Sequence, residues 1–277
     1  MKTYLLITSF FFYSFLNYAQ DFQGFAIYQS KSNFDIKLDS TRFSKDQQKA
    51  MKDRMKMFSE KTYELQFSKT ESIYQEEEKI AQPGQGGRMR MFGGFNAGIL
   101  YKDVKSKRYV NQKESFSKNF LIKDSLPVYE WKFEDETKMI GENLCFKATT
   151  QKEVPNMRMR GPGSRGNQEA NDSLPKTKLI AITAWYTPDI PINNGPSNYW
   201  GLPGLILELN EGKTQLLCTK IVLNSKEKLN IDEPTKGKVV TQNEFDEITQ
   251  KKAKEMMEMY GGDRKKGERG MRIMIAD

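Results

Sequence analysis

The chain has 277 residues, with 44 Lys and Arg against 36 Asp and Glu, two Cys, 14 Met and no His. Without His there is no Ser-His-Asp or Cys-His catalysis, no His-ligated zinc and no His-based pH switch. The length allows one sizeable domain or two small ones, and a hydrophobic fraction of only 37% with a net charge of +8 predicts that some segments do not pack.

Residues 1–20 read MKTYLLITSFFFYSFLNYAQ. Lys2 precedes an uncharged apolar run from Tyr4 to Leu16, which is too short to span a bilayer but suits a signal peptide cleaved near Ala19 or Gln20. The expectation is an exported protein, periplasmic or secreted. No later stretch has the ~18 apolar residues of a transmembrane helix. Such a compartment permits a disulfide, and Cys145 and Cys218 are the two candidates. Both stand in strand-like runs, so the choice between a bridge and two buried thiols stays open at this level.

After the leader, Gly24–Ser30 reads as a strand, and Ser44–Glu60 reads as a helix with Ser44 as N-cap. Tyr63–Phe67 and Ser72–Glu76 alternate as half-buried strands do. Residues 81–96 are Gly- and Pro-rich and predict a mobile insertion. Strands follow at Gly98–Lys102, Lys107–Asn111, Phe116–Ile122, Val128–Phe133 and Leu144–Thr150, with a turn at Gly141-Glu142-Asn143. A second irregular insertion covers 152–178, and strands resume at Leu179–Tyr186, Leu205–Leu209 and Thr214–Val222. Residues 226–260 read as a helical extension, with Phe245, Ile248, Ala253, Met256 and Met259 near one face, and 261–277 as a disordered basic tail. The fold class is mainly β: a single antiparallel, strongly curved, half-barrel-like sheet over 21–225, with one inserted helix and a C-terminal helix. There is no βαβ rhythm and no Gly-rich nucleotide motif.

The segment Trp185–Asn210, WYTPDIPINNGPSNYWGLPGLILELN, concentrates four Pro, three Gly and four aromatic rings. Pro fixes φ and Gly supplies conformations that other residues resist, so the segment predicts an ordered corner. It closely resembles the GLPGLI family: Gly201-Leu202-Pro203-Gly204-Leu205-Ile206 is the signature, and Ala184–Pro191 with Gly195-Pro196 matches the upstream pattern. Trp131-Lys132-Phe133, Ile140-Gly141 and Cys145–Thr150 also match, although Glu142 stands where the family usually has Tyr. The resemblance implies an exported protein of Gram-negative bacteria, often encoded beside TonB-dependent outer-membrane receptors, with no established activity and no catalytic residues. The corner reads either as a rigid plug of the sheet or as a binding lip of Trp185, Tyr186, Tyr199, Trp200 and Pro203.

Two further patterns have chemical content. Met-x-Met occurs four times, and Met89, Met91, Met157 and Met159 are candidate Cu(I) thioethers, although neighbouring Arg residues oppose a cation. The triplets Glu76–Glu78 and Glu134–Glu136 lack a calcium-loop frame and read as solvated turns. The basic charge lies in 81–96, 152–178 and 251–277, leaving the β body near neutral. Export disfavours nucleic acid, so an outer-membrane receptor or an anionic envelope component is the expected partner. The functional expectation is an envelope accessory or binding protein acting with an outer-membrane transporter or an apolar ligand. Copper handling is the rival, and the chain leans away from enzymes.

Overall fold

A computed structural model describes residues 22–33, 44–46, 48–49, 59–77, 98–155, 177–225 and 229–261. The helix expected over 44–60 falls largely outside them, as do the leader, the insertion at 81–96 and the tail.

Among the described residues, alternating apolar residues and tight turns give twelve strands. These are β1 Gly24–Ser32, β2 Glu60–Phe67, β3 Glu71–Glu76, β4 Ile99–Asp103, β5 Arg108–Ser115 and β6 Lys118–Ser125. They continue as β7 Lys132–Ile140, β8 Asn143–Pro155, β9 Thr177–Thr187, β10 Leu205–Glu211, β11 Thr214–Leu223 and β12 Lys238–Val240, followed by helix α1, Gln242–Gly261. The turn read at 141–143 is a two-residue hairpin loop, in which Gly141 takes φ +59° and Ile140 pairs with Asn143.

The strands form one sheet in the order β12-β6-β5-β4-β3-β2-β1-β11-β10-β9-β8-β7. Its curvature follows from one residue. β4 and β8 stand seven strand steps apart, roughly 34 Å if the sheet were flat. Yet Lys102 of β4 and Lys152 of β8 both reach Tyr199, one at its carbonyl (3.5 Å) and the other over its ring (5.4 Å). The sheet therefore curls around the 188–204 corner, and its end strands β12 and β7 do not pair.

Three sequence expectations are corrected here. The sheet is mixed, because β12 pairs in parallel with β6 (Val239 with Leu121) inside the region read as helical. Three residues are too few to carry a periodic signal. The strand expected at 128–133 lies at Lys132–Ile140, and 126–131 is an extended strap. The second insertion is narrower than 152–178, since β8 runs to Pro155 and β9 starts at Thr177, paired end to end.

Tyr28, Leu65, Phe67, Ile182, Leu202 and Leu205–Leu207 are buried in one core that fills the curl. The Tyr28 hydroxyl donates to the Ile206 carbonyl at 2.7 Å, two strands away. On the opposite face Ile231 covers a smaller cluster of Ile73, Tyr101, Val110 and Leu121, held by Glu233, which pairs with Arg108 (2.7 Å) and Lys123 (3.0 Å). Helix α1 begins with a capping box: the Glu244 carboxylate accepts from the Thr241 N–H (2.7 Å), and the Thr241 hydroxyl accepts from the Glu244 N–H (3.3 Å). Phe245 and Ile248 pack on the core, with Phe245 edge-on to Phe120 at 5.3 Å, whereas Met259 is exposed. Of the apolar stripe read from the sequence, Ala253 and Met256 are half-buried and only Met259 stands fully out.

Candidate functional site

The corner between β9 and β10 turns on Gly204, which no other residue could replace without moving backbone. A Cβ on Gly204 would lie 2.1 Å from the Thr187 carbonyl oxygen, so the chain turns against its own strand there. Main-chain bonds from Leu205 N to Ile190 O (3.0 Å) and from Ile206 N to Asn194 O (3.1 Å) fold the corner onto β10. The strap 126–131 locks it from the other side. The Trp131 indole donates to the Trp200 carbonyl (2.9 Å), the Trp200 indole donates to the Pro127 carbonyl (2.7 Å), and Tyr129 stacks on Tyr199 at 5.0 Å.

The five lip residues do not form one surface. Tyr199 is 1% exposed and offers a partner nothing. Its hydroxyl comes near the Glu211 carboxylate without reaching hydrogen-bond geometry. Trp200 is half-buried by the strap, and Pro203 is exposed. Tyr186 is buried beside Phe133 and Phe146. Trp185, next to it on β9, points to the opposite face, where the Lys138 ammonium sits 4.2 Å above its ring and pairs with Glu208 at 2.6 Å.

Lys102 is the residue that sequence reading missed. Its side chain is fully buried, and its ammonium donates to the Gly195 carbonyl at 2.5 Å and to the Tyr199 carbonyl at 3.5 Å. No carboxylate pairs with it among the described residues, so burial alone pulls its pKa down to about 7. The period of β4 carried a faint signal, since Lys102 stands two residues after the core residue Leu100. Being sealed from solvent, this amine offers no path to a substrate and serves as a pin for the corner.

Cys145 and Cys218, the disulfide candidates, are both buried and stand here as free thiols. Cys145 on β8 and Cys218 on β11 have two strands between them in the sheet. Burial pushes their thiols up to about 11 and about 12. No group of three or more Cys, Asp or Glu could hold a metal ion among the described residues. The copper candidates Met89, Met91, Met157 and Met159 lie outside them.

Among the described residues, two open surfaces stand out. An open cleft of about 450 Å³ lies where the sheet fails to close, between Tyr109 and Asp124 on one end and Lys152 and Glu153 on the other. The second is the edge strand β7. Its Glu134-Asp135-Glu136 is not the solvated turn read from sequence but a bulge, lying between the Phe133–Ala148 and Thr137–Phe146 pairs. Glu136 accepts from Lys147 at 2.5 Å and Glu134 accepts from the Thr149 hydroxyl at 3.0 Å.

Residues 131–208 match the model of a family described as a protein of unknown function (Porph_ging). The match runs from the strap's Trp131 through β7, β8, β9 and the corner to Glu208 of β10. It contains the GLPGLI motif and conflicts with nothing in that resemblance. No curated protein matches the chain. Among solved structures the chain is similar to PNGF-II in its C2 crystal form, at 15% identity and a TM-score of 0.48, and in its P21 form, at 14% and 0.47. In both cases the similarity covers 83% of this chain but only 33% of the PNGF-II chain. Among the described residues, no helix is long and apolar enough to cross a membrane.

Proposed function

We propose that this chain is an exported, non-enzymatic accessory protein of the cell envelope, of the GLPGLI type, which works by contact with another envelope protein such as a TonB-dependent outer-membrane transporter. The observation that supports contact over ligand carriage is the filled curl of the sheet. Tyr28, Leu65, Ile182, Leu202 and Leu207 occupy the volume that an apolar ligand would need, and the corner seals it. The leader-like residues 1–20 and the GLPGLI resemblance support export, and the absence of His disfavours general acid–base chemistry.

Crosslinking and pull-down of the full chain from its native envelope tests the reading. A specific membrane receptor should be recovered, with less recovered after deletion of 83–94 or 156–168. Recovery of no membrane protein would sink the proposal, and unchanged recovery after both deletions would remove those loops from it. N-terminal sequencing of the exported chain should begin at residue 20 or 21.

A further inference from the structure

We infer that the open edge of β7, together with the apolar face beside it, docks an extended cationic strand of a protein partner. The inference rests on the reading that this chain works by protein contact, and it names the surface and the chemistry. β7 ends the sheet, so one side of its nine residues, about 30 Å long, has no strand beside it among the described residues. Register then places an apolar row next to that edge. Met139 pairs with Leu144, Thr137 with Phe146 and Phe133 with Ala148, and paired residues share a face. That face is the core face, because Phe146 pairs onward with Tyr186, and Phe133 and Phe146 both contact the Tyr186 ring. The corner stops short of it. Phe133 is 63% exposed, Met139 60% and Leu144 42%, so the core face of the sheet continues uncovered to its edge.

Charge decides the occupant. Residues 130–142 carry five acidic and two basic side chains, in a chain whose net charge is +8. Lys138 is already paired with Glu208 and Glu136 with Lys147 of β8, while Glu134 and Asp135 stand exposed on the bulge. A second copy of β7 would bring the acidic triplet against itself, which costs energy. A partner strand with basic residues on one side and apolar residues on the other answers both the carboxylates and the exposed row.

The test uses the full chain and an eight-residue peptide of alternating Lys and Val as probe. Hydrogen exchange of residues 132–140 should slow at least tenfold in its presence. Binding should weaken at least tenfold in Glu134→Lys/Asp135→Lys, in Phe133→Ser/Met139→Ser and in Thr137→Pro, and an alternating Glu and Val peptide should not bind. Equal binding of the two peptides, protection confined to other strands, or self-association through β7 would overturn the inference. A photo-crosslinking residue at position 135 in the native envelope separates it from the broader proposal. An adduct there to an extended basic segment supports the inference. Adducts only from other positions overturn it while leaving the accessory reading in place, and no adduct from any position overturns both.

Discussion

The Lys102 ammonium lies 2.5 Å from the Gly195 carbonyl oxygen, so a strand and a corner 93 residues apart in sequence are joined by one buried cation. The pin stabilises the corner and carries a desolvation cost, because no carboxylate among the described residues accompanies it.

That cost makes stability depend on pH. The pKa of Lys102 falls from 10.5 to about 7 on folding, so between those values the unfolded chain binds more protons and stability rises with pH. Below pH 7 both states are protonated and the penalty is constant. The slope approaches 1.4 kcal/mol per pH unit at most. Urea midpoints should rise from pH 6.5 to 8.5, and Lys102→Met should abolish most of that rise. An identical slope in the variant would refute the assignment. Above about pH 9 the trend reverses, because the buried thiols and tyrosines have raised pKa values and lose their stabilisation there.

Trp131 and Trp200 donate to each other's segments across the strap. Replacing either by Phe keeps the six-membered ring but removes the pyrrole ring with its N–H and leaves a carbonyl unpaired, at about 1 kcal/mol or more each. The double variant should show coupling in a double-mutant cycle, because both bonds hold the same strap. Strict additivity would mean that the bonds act independently.

Gly204 and Gly212 should respond differently to Ala. At Gly204 the new Cβ meets backbone, and the loss should be at least about 3 kcal/mol or prevent folding. At Gly212 nothing lies within 4 Å, so only the positive φ of +58° costs, at about 1 kcal/mol. Chemical denaturation of both variants checks the contrast.

Free, buried thiols make a redox prediction. The folded chain at pH 8 should react slowly with a thiol reagent, and the urea-unfolded chain should titrate two thiols without reductant. No thiol released on unfolding would mean that Cys145 and Cys218 are bonded.

Much of the fold was legible. Alternation in Tyr63–Phe67 and Thr214–Val222 located strands, and Gly141-Glu142 located a hairpin, because a turn with positive φ leaves a local mark. The strand β7 was misplaced because Glu134-Asp135-Glu136 breaks the two-residue period. A bulge exists only in relation to the strand it faces. β12 escaped for the same reason, since its pairing with β6 is a fact of position.

By itself the sequence determined the chemistry that is excluded, the β character and a rigid corner at 185–206, because missing side chains, two-residue periods and Pro and Gly act locally. Only the tertiary structure decided, among the described residues, that Tyr199 is inside, that Lys102 is buried with no carboxylate beside it, that both thiols are buried and that β7 ends the sheet. Each of these depends on how far the sheet curls and which strands end it. Curl and strand order arise from contacts between residues tens to hundreds of positions apart, which no local pattern records.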